Sequence, residues 1–141
     1  MIFSINADSL EIVTGDPVAS QFIAETENKY LGDISSGGCA AGISGLTILP
    51  DGTLVPCRRL QIPIGNIRKD SLREVWATSD VLNALRNRKS YKGKCGNCKR
   101  WAECRGCRAI AYYCSMADGE PDILAADPQC FIEGAELEKV N

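Results

Sequence analysis

Residues 95–107 read CGNCKRWAECRGC, and the rest of the chain is best understood outward from them. Cys95, Cys98, Cys104 and Cys107 form two Cys-x2-Cys pairs with five residues between them. A Cys-x2-Cys turn brings two thiolates to bear on one metal ion or cluster. A regular helix or strand is expected instead to spread such closely spaced thiolates over different faces. Thiolates are soft ligands and select zinc, copper(I) or iron–sulfur centres. Four more cysteines, Cys39, Cys57, Cys114 and Cys130, flank the block on both sides. The expected fold is therefore built around metal centres held here.

Composition sharpens this reading. The 141 residues hold eight cysteines and no histidine, with an ordinary hydrophobic share of 45%. That length suits one domain with a modest core. Missing histidine removes mixed cysteine–histidine zinc sites and the usual imidazole base. In a secreted chain eight cysteines would spell four disulfides, with 105 pairings open. The opening MIFSINADSLEIV lacks a basic flank, an unbroken apolar core and a small-residue cleavage site. A cytoplasmic, reducing location is expected, where metal binding accounts better for the thiols. No apolar run approaches the roughly 20 residues of a membrane span.

Charge is concentrated around the block. Net charge is −2, yet fourteen of the sixteen Lys and Arg fall within 57–108, opposed only by Asp70, Glu74, Asp80 and Glu103. Metal–thiolate centres are anionic, so a basic belt offsets their charge. The plainer reading is a solvated helix face. A nucleic-acid surface is a third reading, but the aromatic residues are too few and scattered for base stacking.

Outward from the block, local signals are conventional. IFSI (2–5) and LEIVT (10–14) read as short strands, and Asp16-Pro17 as the start of a helix ending near Gly32. Leu46, Ile48 and Leu54 lie in two strands joined by Pro50-Asp51-Gly52, a hairpin signal because proline presets φ and glycine accepts a positive one. That hairpin carries Cys57 back toward Cys39. Ser71 and Glu74 match a capping box. Leu72, Val75, Trp76, Leu82 and Leu85 follow helical spacing as a core-facing scaffold, broken near Ser79-Asp80 into two helices. RAIAYYC (108–114) reads as a short helix placing Cys114 two turns beyond Cys107, as an eighth candidate ligand or as a buried inert thiol. Gly119, Pro121, Asp127 and Pro128 mark a loop returning to Cys130, and the tail at 133–141 is acidic. The fold class expected is α+β: a small cysteine-rich domain with β-hairpins and short helices, spanning 39–132 and preceded by an N-terminal element at 1–38.

The order Cys39-x12-Gly52-x4-Cys57, Cys95-x2-Cys98-x5-Cys104-x2-Cys107, Cys130 resembles the SPASM domain, an auxiliary iron–sulfur domain of many radical S-adenosylmethionine enzymes. GNIRKDSLREVW resembles its linking segment. The two-residue last gap departs from the three residues common in the family. With CRGCRAIAY and ADPQC, that gap resembles a branch associated with heme and heme d1 biosynthesis. The resemblance implies two [4Fe-4S] clusters with interleaved ligands: Cys39, Cys57 and Cys107 for one, and Cys95, Cys98, Cys104 and Cys130 for the other. The first site then lacks a fourth thiolate, unless Cys114, a substrate or an exogenous ligand completes it. The second is coordinatively complete.

Radical S-adenosylmethionine chemistry requires a Cys-x3-Cys-x2-Cys loop, and no three cysteines here have that spacing. The 141 residues also leave no room for the barrel that carries it. The chain alone is expected to be inactive, and S-adenosylmethionine enters only through a core domain in the same or a separate chain. The implied partners are that core and a peptide or tetrapyrrole-type substrate, with no membrane. Two other readings stay open: a structural zinc domain with two four-cysteine sites, and an adaptor binding nucleic acid or protein through the basic belt.

Overall fold

A hairpin forms where Pro50-Asp51-Gly52 places it. In the computed structural model, which describes residues 37–132, β1 (Thr47–Ile48) pairs antiparallel with β2 (Thr53–Val55), Thr47 opposite Val55 and Ile48 opposite Leu54. Gly52 sits at φ 89° and donates its N–H to Leu49 O at 2.8 Å, closing the turn. The Asp51 carboxylate accepts from the Thr53 N–H at 2.9 Å and its hydroxyl at 3.0 Å, and these bonds lower its pKa. The strands expected at 2–5 and 10–14, the helix between Asp16 and Gly32, and the acidic tail at 133–141 lie outside the described residues.

A third strand, β3 (Gly65–Asn66), completes a sheet of order β1-β2-β3, with Thr53 opposite Asn66 and Leu54 opposite Gly65. Sequence reading takes this stretch only as a lead into a helix, since glycine and asparagine are poor strand formers. Its tie is local: Asn66 donates its N–H to the Asp70 carboxylate at 2.7 Å.

Two short helices follow, α1 (Leu72–Thr78) and α2 (Asp80–Arg86). The break falls on Ser79, which closes α1 through its N–H to Val75 O and caps α2 through its hydroxyl, which accepts from Leu82 N–H at 3.4 Å. Only part of the expected scaffold face is interior. Val75, Leu82 and Leu85 are buried, but Leu72 is 41% exposed and Trp76 is half-buried. Trp76 lies instead under the Arg86 guanidinium, 4.4 Å from the ring centroid. Arg86 also donates to Gly42 O and Trp76 O, each at 2.7 Å, clamping the helix pair to the loop after Cys39. Covering the ring with a cation satisfies it without a core position.

After a 3-10 turn at Arg88–Ser90 comes α3 (Gly93–Gly96), a single turn, and then α4 (Arg108–Ala117). One buried cluster joins Ala41, Leu60, Leu85 and Ala109. A second joins Tyr91, Cys95, Trp101 and Ala102, with the Tyr91 and Trp101 rings edge to face at 5.5 Å. The architecture is a small α+β domain whose two cores each border cysteines.

Candidate metal centre

The block is a folded knot rather than a bare turn. Cys95 lies within α3, which ends at Gly96, and Cys98 follows two residues beyond that end, past the Asn97 cap. The pair therefore does not sit on one regular helix. At the other end, Arg105 and Gly106 both take left-handed φ, 61° and 62°. For arginine that is strained backbone. It is held because the Arg105 guanidinium bonds Ala102 O at 2.8 Å, Cys39 O at 2.7 Å and Gly37 O. Those bonds, with Cys39 N–H to Cys104 O at 3.1 Å, fasten the entering segment to the knot. At Gly106 a Cβ would stand 2.6 Å from the Asp127 Cβ, so only glycine lets the returning loop close over it.

Cys95, Cys98, Cys104 and Cys130 line one cavity with Lys94, Trp101, Arg105, Gly106 and Ile132. The 95–107 block and the returning loop thus supply four thiols to one place. Their proximity is also visible electrostatically. The Cys98 thiol is pushed up by burial, then by Cys104, Cys130 and Cys95, while the Arg100 N–H opposes the shift. The Cys130 thiol is likewise raised by burial and by Cys95 and Cys104, against the Ile132 N–H and Lys94.

Cys39, Cys57 and Cys107 gather elsewhere, packed as half-buried side chains against the Ala41, Leu60, Leu85, Ala109 cluster. Burial raises the Cys107 thiol, with Cys39 and Asp127 adding to the shift. Cys114 lies exposed on α4 and is not among the side chains packed on that cluster. The reading of Cys114 as a buried thiol is therefore wrong: α4 buries Arg108, Ala109 and Ala111 and turns Cys114 outward.

Three of the sulfur atoms, those of Cys57, Cys95 and Cys104, are met by N–H donors. Arg59 N–H reaches Cys57 Sγ at 3.2 Å, and Gly106 N–H reaches Cys104 Sγ at 3.3 Å. Cys95 Sγ accepts from Asp127 N–H and from the Arg108 guanidinium, both at 3.4 Å. Donors aimed at sulfur stabilise the thiolate, the form that binds a metal. Trp101 Nε1, Arg105 Nε and Arg108 Nε are buried donors without an acceptor among the described residues. Unpaired buried donors call for an explanation, and an anionic centre bordered by these residues gives one. All eight cysteines are free thiols. Among the described residues, no three Cys, Asp or Glu side chains converge on a single-ion position.

Two residues of this site escape sequence reading. Arg108 is 1% exposed and Asp127 is 2% exposed. Asp127 Oδ2 accepts from Cys107 N–H at 2.6 Å and Oδ1 accepts from Gln129 N–H at 2.9 Å. The available signal was adjacency: Arg108 follows Cys107 and Asp127 precedes Cys130 by three. The basic belt divides accordingly. Arg100, Arg105 and Arg108 are interior, while Arg58, Arg59, Arg68, Lys69 and Arg73 are exposed.

Fold and site together define a small α+β domain in which cysteines distant in sequence assemble at two places. Residues 39–108 match the SPASM family, an iron–sulfur cluster-binding domain, and this part of the chain belongs to that family. Over 93 residues, 66% of this chain, it is 39% identical to an AdoMet-dependent heme synthase of Methanosarcina barkeri, covering 25% of that protein. A heme synthase of the same name from Nitratidesulfovibrio vulgaris is 32% identical over 77% of this chain and 28% of its own length. A PqqA peptide cyclase of Methylocella silvestris is 34% identical over 62% of this chain and 23% of its own. The chain thus spans about a quarter of the length of these curated relatives. No solved structure gives a significant match. No helix among the described residues is long and apolar enough to cross a membrane.

Proposed function

We propose that the domain holds two [4Fe-4S] clusters and serves as the auxiliary electron-transfer or substrate-positioning module of a radical S-adenosylmethionine enzyme. Cys95, Cys98, Cys104 and Cys130 would hold one cluster; Cys39, Cys57 and Cys107 would hold the other, with its fourth ligand supplied from outside this set. The observation carrying this reading is the single cavity lined by four thiols from the 95–107 block and the returning loop. Bound there, an iron–sulfur centre supplies a one-electron relay or an iron that orients substrate. The protein supplies the thiolates, the N–H donors that stabilise them and the buried cations that offset their charge.

Zinc is the second reading, because eight thiols suffice for two four-cysteine sites. The match of residues 39–108 to an iron–sulfur cluster-binding domain favours iron–sulfur over zinc.

The parent enzyme's substrate belongs to the same proposal. Relatives named heme synthases, with the two-residue gap in CRGC, favour a tetrapyrrole-type substrate over a peptide. The core domain, in this polypeptide or another, is the partner, and the eight free thiols suit a reducing, cytoplasmic setting. Anaerobic purification with iron, sulfide and zinc analysis tests the reading. A brown protein with equal iron and sulfide supports it; a colourless zinc-loaded protein that takes up no iron on reconstitution refutes it.

A further inference from the structure

We infer that Arg108 sets the reduction potential of the Cys95/Cys98/Cys104/Cys130 centre; this rests on the cluster reading above. The residue is 1% exposed, and its guanidinium has three kinds of neighbour. Nη1 donates to Ala125 O at 2.8 Å and to Ile123 O at 3.3 Å. The plane lies over the Tyr91 ring at 5.0 Å. Nη2 donates to Cys95 Sγ at 3.4 Å. Two carbonyls and a ring fix where the third contact points, and it points at a sulfur.

A buried cation is costly unless something nearby offsets its charge. Carbonyl dipoles and a ring face offset it partly. Of the neighbouring carboxylates, Asp127 accepts from the N–H groups of Cys107 and Gln129, and Asp122, which feels the Arg108 charge, is paired with Lys92 at 2.7 Å. A set of thiolates around an iron–sulfur centre is the anion this geometry faces. The consequence for redox is directional. Reduction adds one electron, and with it negative charge, to the centre. A fixed positive charge and an N–H···S bond both favour the reduced form, so both raise the potential. Burial keeps water from screening the effect.

A purely structural role makes a different prediction. If Arg108 only straps the 123–125 loop to α4, its loss lowers stability and leaves the potential alone. Arg108→Gln separates the two roles, since it keeps amide donors and removes the charge. Arg108→Met removes both charge and donors. Arg108→Lys keeps the charge on a flexible stem without the planar fork.

The experiment is an anaerobic dithionite titration of the reconstituted full chain, followed by electron paramagnetic resonance, with iron and sulfide measured on each sample. One reductive step should move to lower potential in the order Arg108→Lys, Arg108→Gln, Arg108→Met, while the other step stays in place. Arg108→Gln with wild-type iron content and wild-type midpoints overturns the inference. If Gln and Met variants lose their iron, Arg108→Lys decides. Its single nitrogen cannot hold the two loop carbonyls and reach Cys95 Sγ as the planar fork does, so the midpoint falls below wild type, and an unchanged midpoint overturns the inference. A wild-type chain that takes up zinc and no iron or sulfide overturns the cluster reading, and this inference with it. Wild-type clusters with an unmoved Gln midpoint overturn this inference alone.

Discussion

The Asp127 carboxylate accepts the backbone N–H of Cys107 at 2.6 Å, while the backbone N–H of Asp127 donates to Cys95 Sγ at 3.4 Å. One residue of the returning loop therefore touches a cysteine from each of the two groups. Its carbonyl also accepts Cys130 N–H at 3.1 Å, so the loop's own cysteine is placed by the same residue.

Asp127→Ala should therefore loosen both groups at once. It leaves the Cys107 N–H without its acceptor, at a cost of about 2 kcal/mol for a bond to a charged group. For a domain of this size that is a fall in melting temperature on the order of 10 °C. Asp127→Asn keeps an acceptor and should lose less. Thermal melts of the reconstituted proteins test this, and an Ala variant melting with wild type would show that the loop is held by other means.

The two centres should differ in lability. Cys95, Cys98 and Cys104 are buried and Cys130 is half-buried, whereas Cys39, Cys57 and Cys107 are all half-buried. On the proposed ligand sets, chelator and oxygen would reach the second centre more easily, and three thiolates would leave one of its positions open. Cys98→Ala should cost far more than a surface change, because losing a ligand to a structural centre is among the severe mechanisms. Iron release to a chelator should be faster in Cys98→Ala, which retains the Cys39/Cys57/Cys107 site, than in Cys57→Ala. Equal rates would count against the distinction.

Much of this was legible before any fold was known, for reasons that differ by residue. The Pro50-Asp51-Gly52 turn and the Ser79 break are written in local chemistry, a preset φ and a capping hydroxyl, and both formed where expected. The cysteine spacing announced a metal domain. Trp76 was misjudged because helical periodicity marks a face without saying what covers it, and here Arg86 does. The strand at Gly65–Asn66 was invisible because its pairing comes from β2 and from Asp70, not from its own residues. Arg108 stood out only as one of fourteen basic residues in the belt and Asp127 only as a loop marker, since sequence does not say which member of a charged set is buried against sulfur.

Alkaline pH should unfold the domain through Tyr91. Burial raises its phenol to about 12, outweighing the opposing charges of Arg108 and Arg105. In the unfolded chain the value is about 10. The folded state thus favours the neutral phenol. That contribution is fully present below about pH 10 and is lost as pH climbs toward about 12. Tyr91→Phe forfeits the hydroxyl's 2.8 Å bond to Leu85 O, at about 1 kcal/mol at neutral pH. It should also flatten the stability profile between pH 10 and 12. Denaturant midpoints measured across that range in both proteins check this, and parallel profiles would refute it.

Supplied with S-adenosylmethionine and a reductant, these 141 residues should form no 5′-deoxyadenosine. Reductive cleavage needs the cofactor chelated to a unique iron, and the Cys-x3-Cys-x2-Cys loop that creates one is not in the sequence. The Cys39/Cys57/Cys107 site is the one route around this argument, since three thiolates would also leave an iron exposed. An open iron is not enough. The adenine, ribose and methionine parts of the cofactor need a binding surface of their own. The three thiols pack against a small aliphatic cluster of Ala41, Leu60, Leu85 and Ala109, and in radical S-adenosylmethionine enzymes the cofactor-binding surface belongs to the core barrel. Anaerobic incubation of the reconstituted chain followed by chromatography decides the matter. Product above a cluster-free control would make these residues an enzyme in their own right, with the half-buried site as its centre.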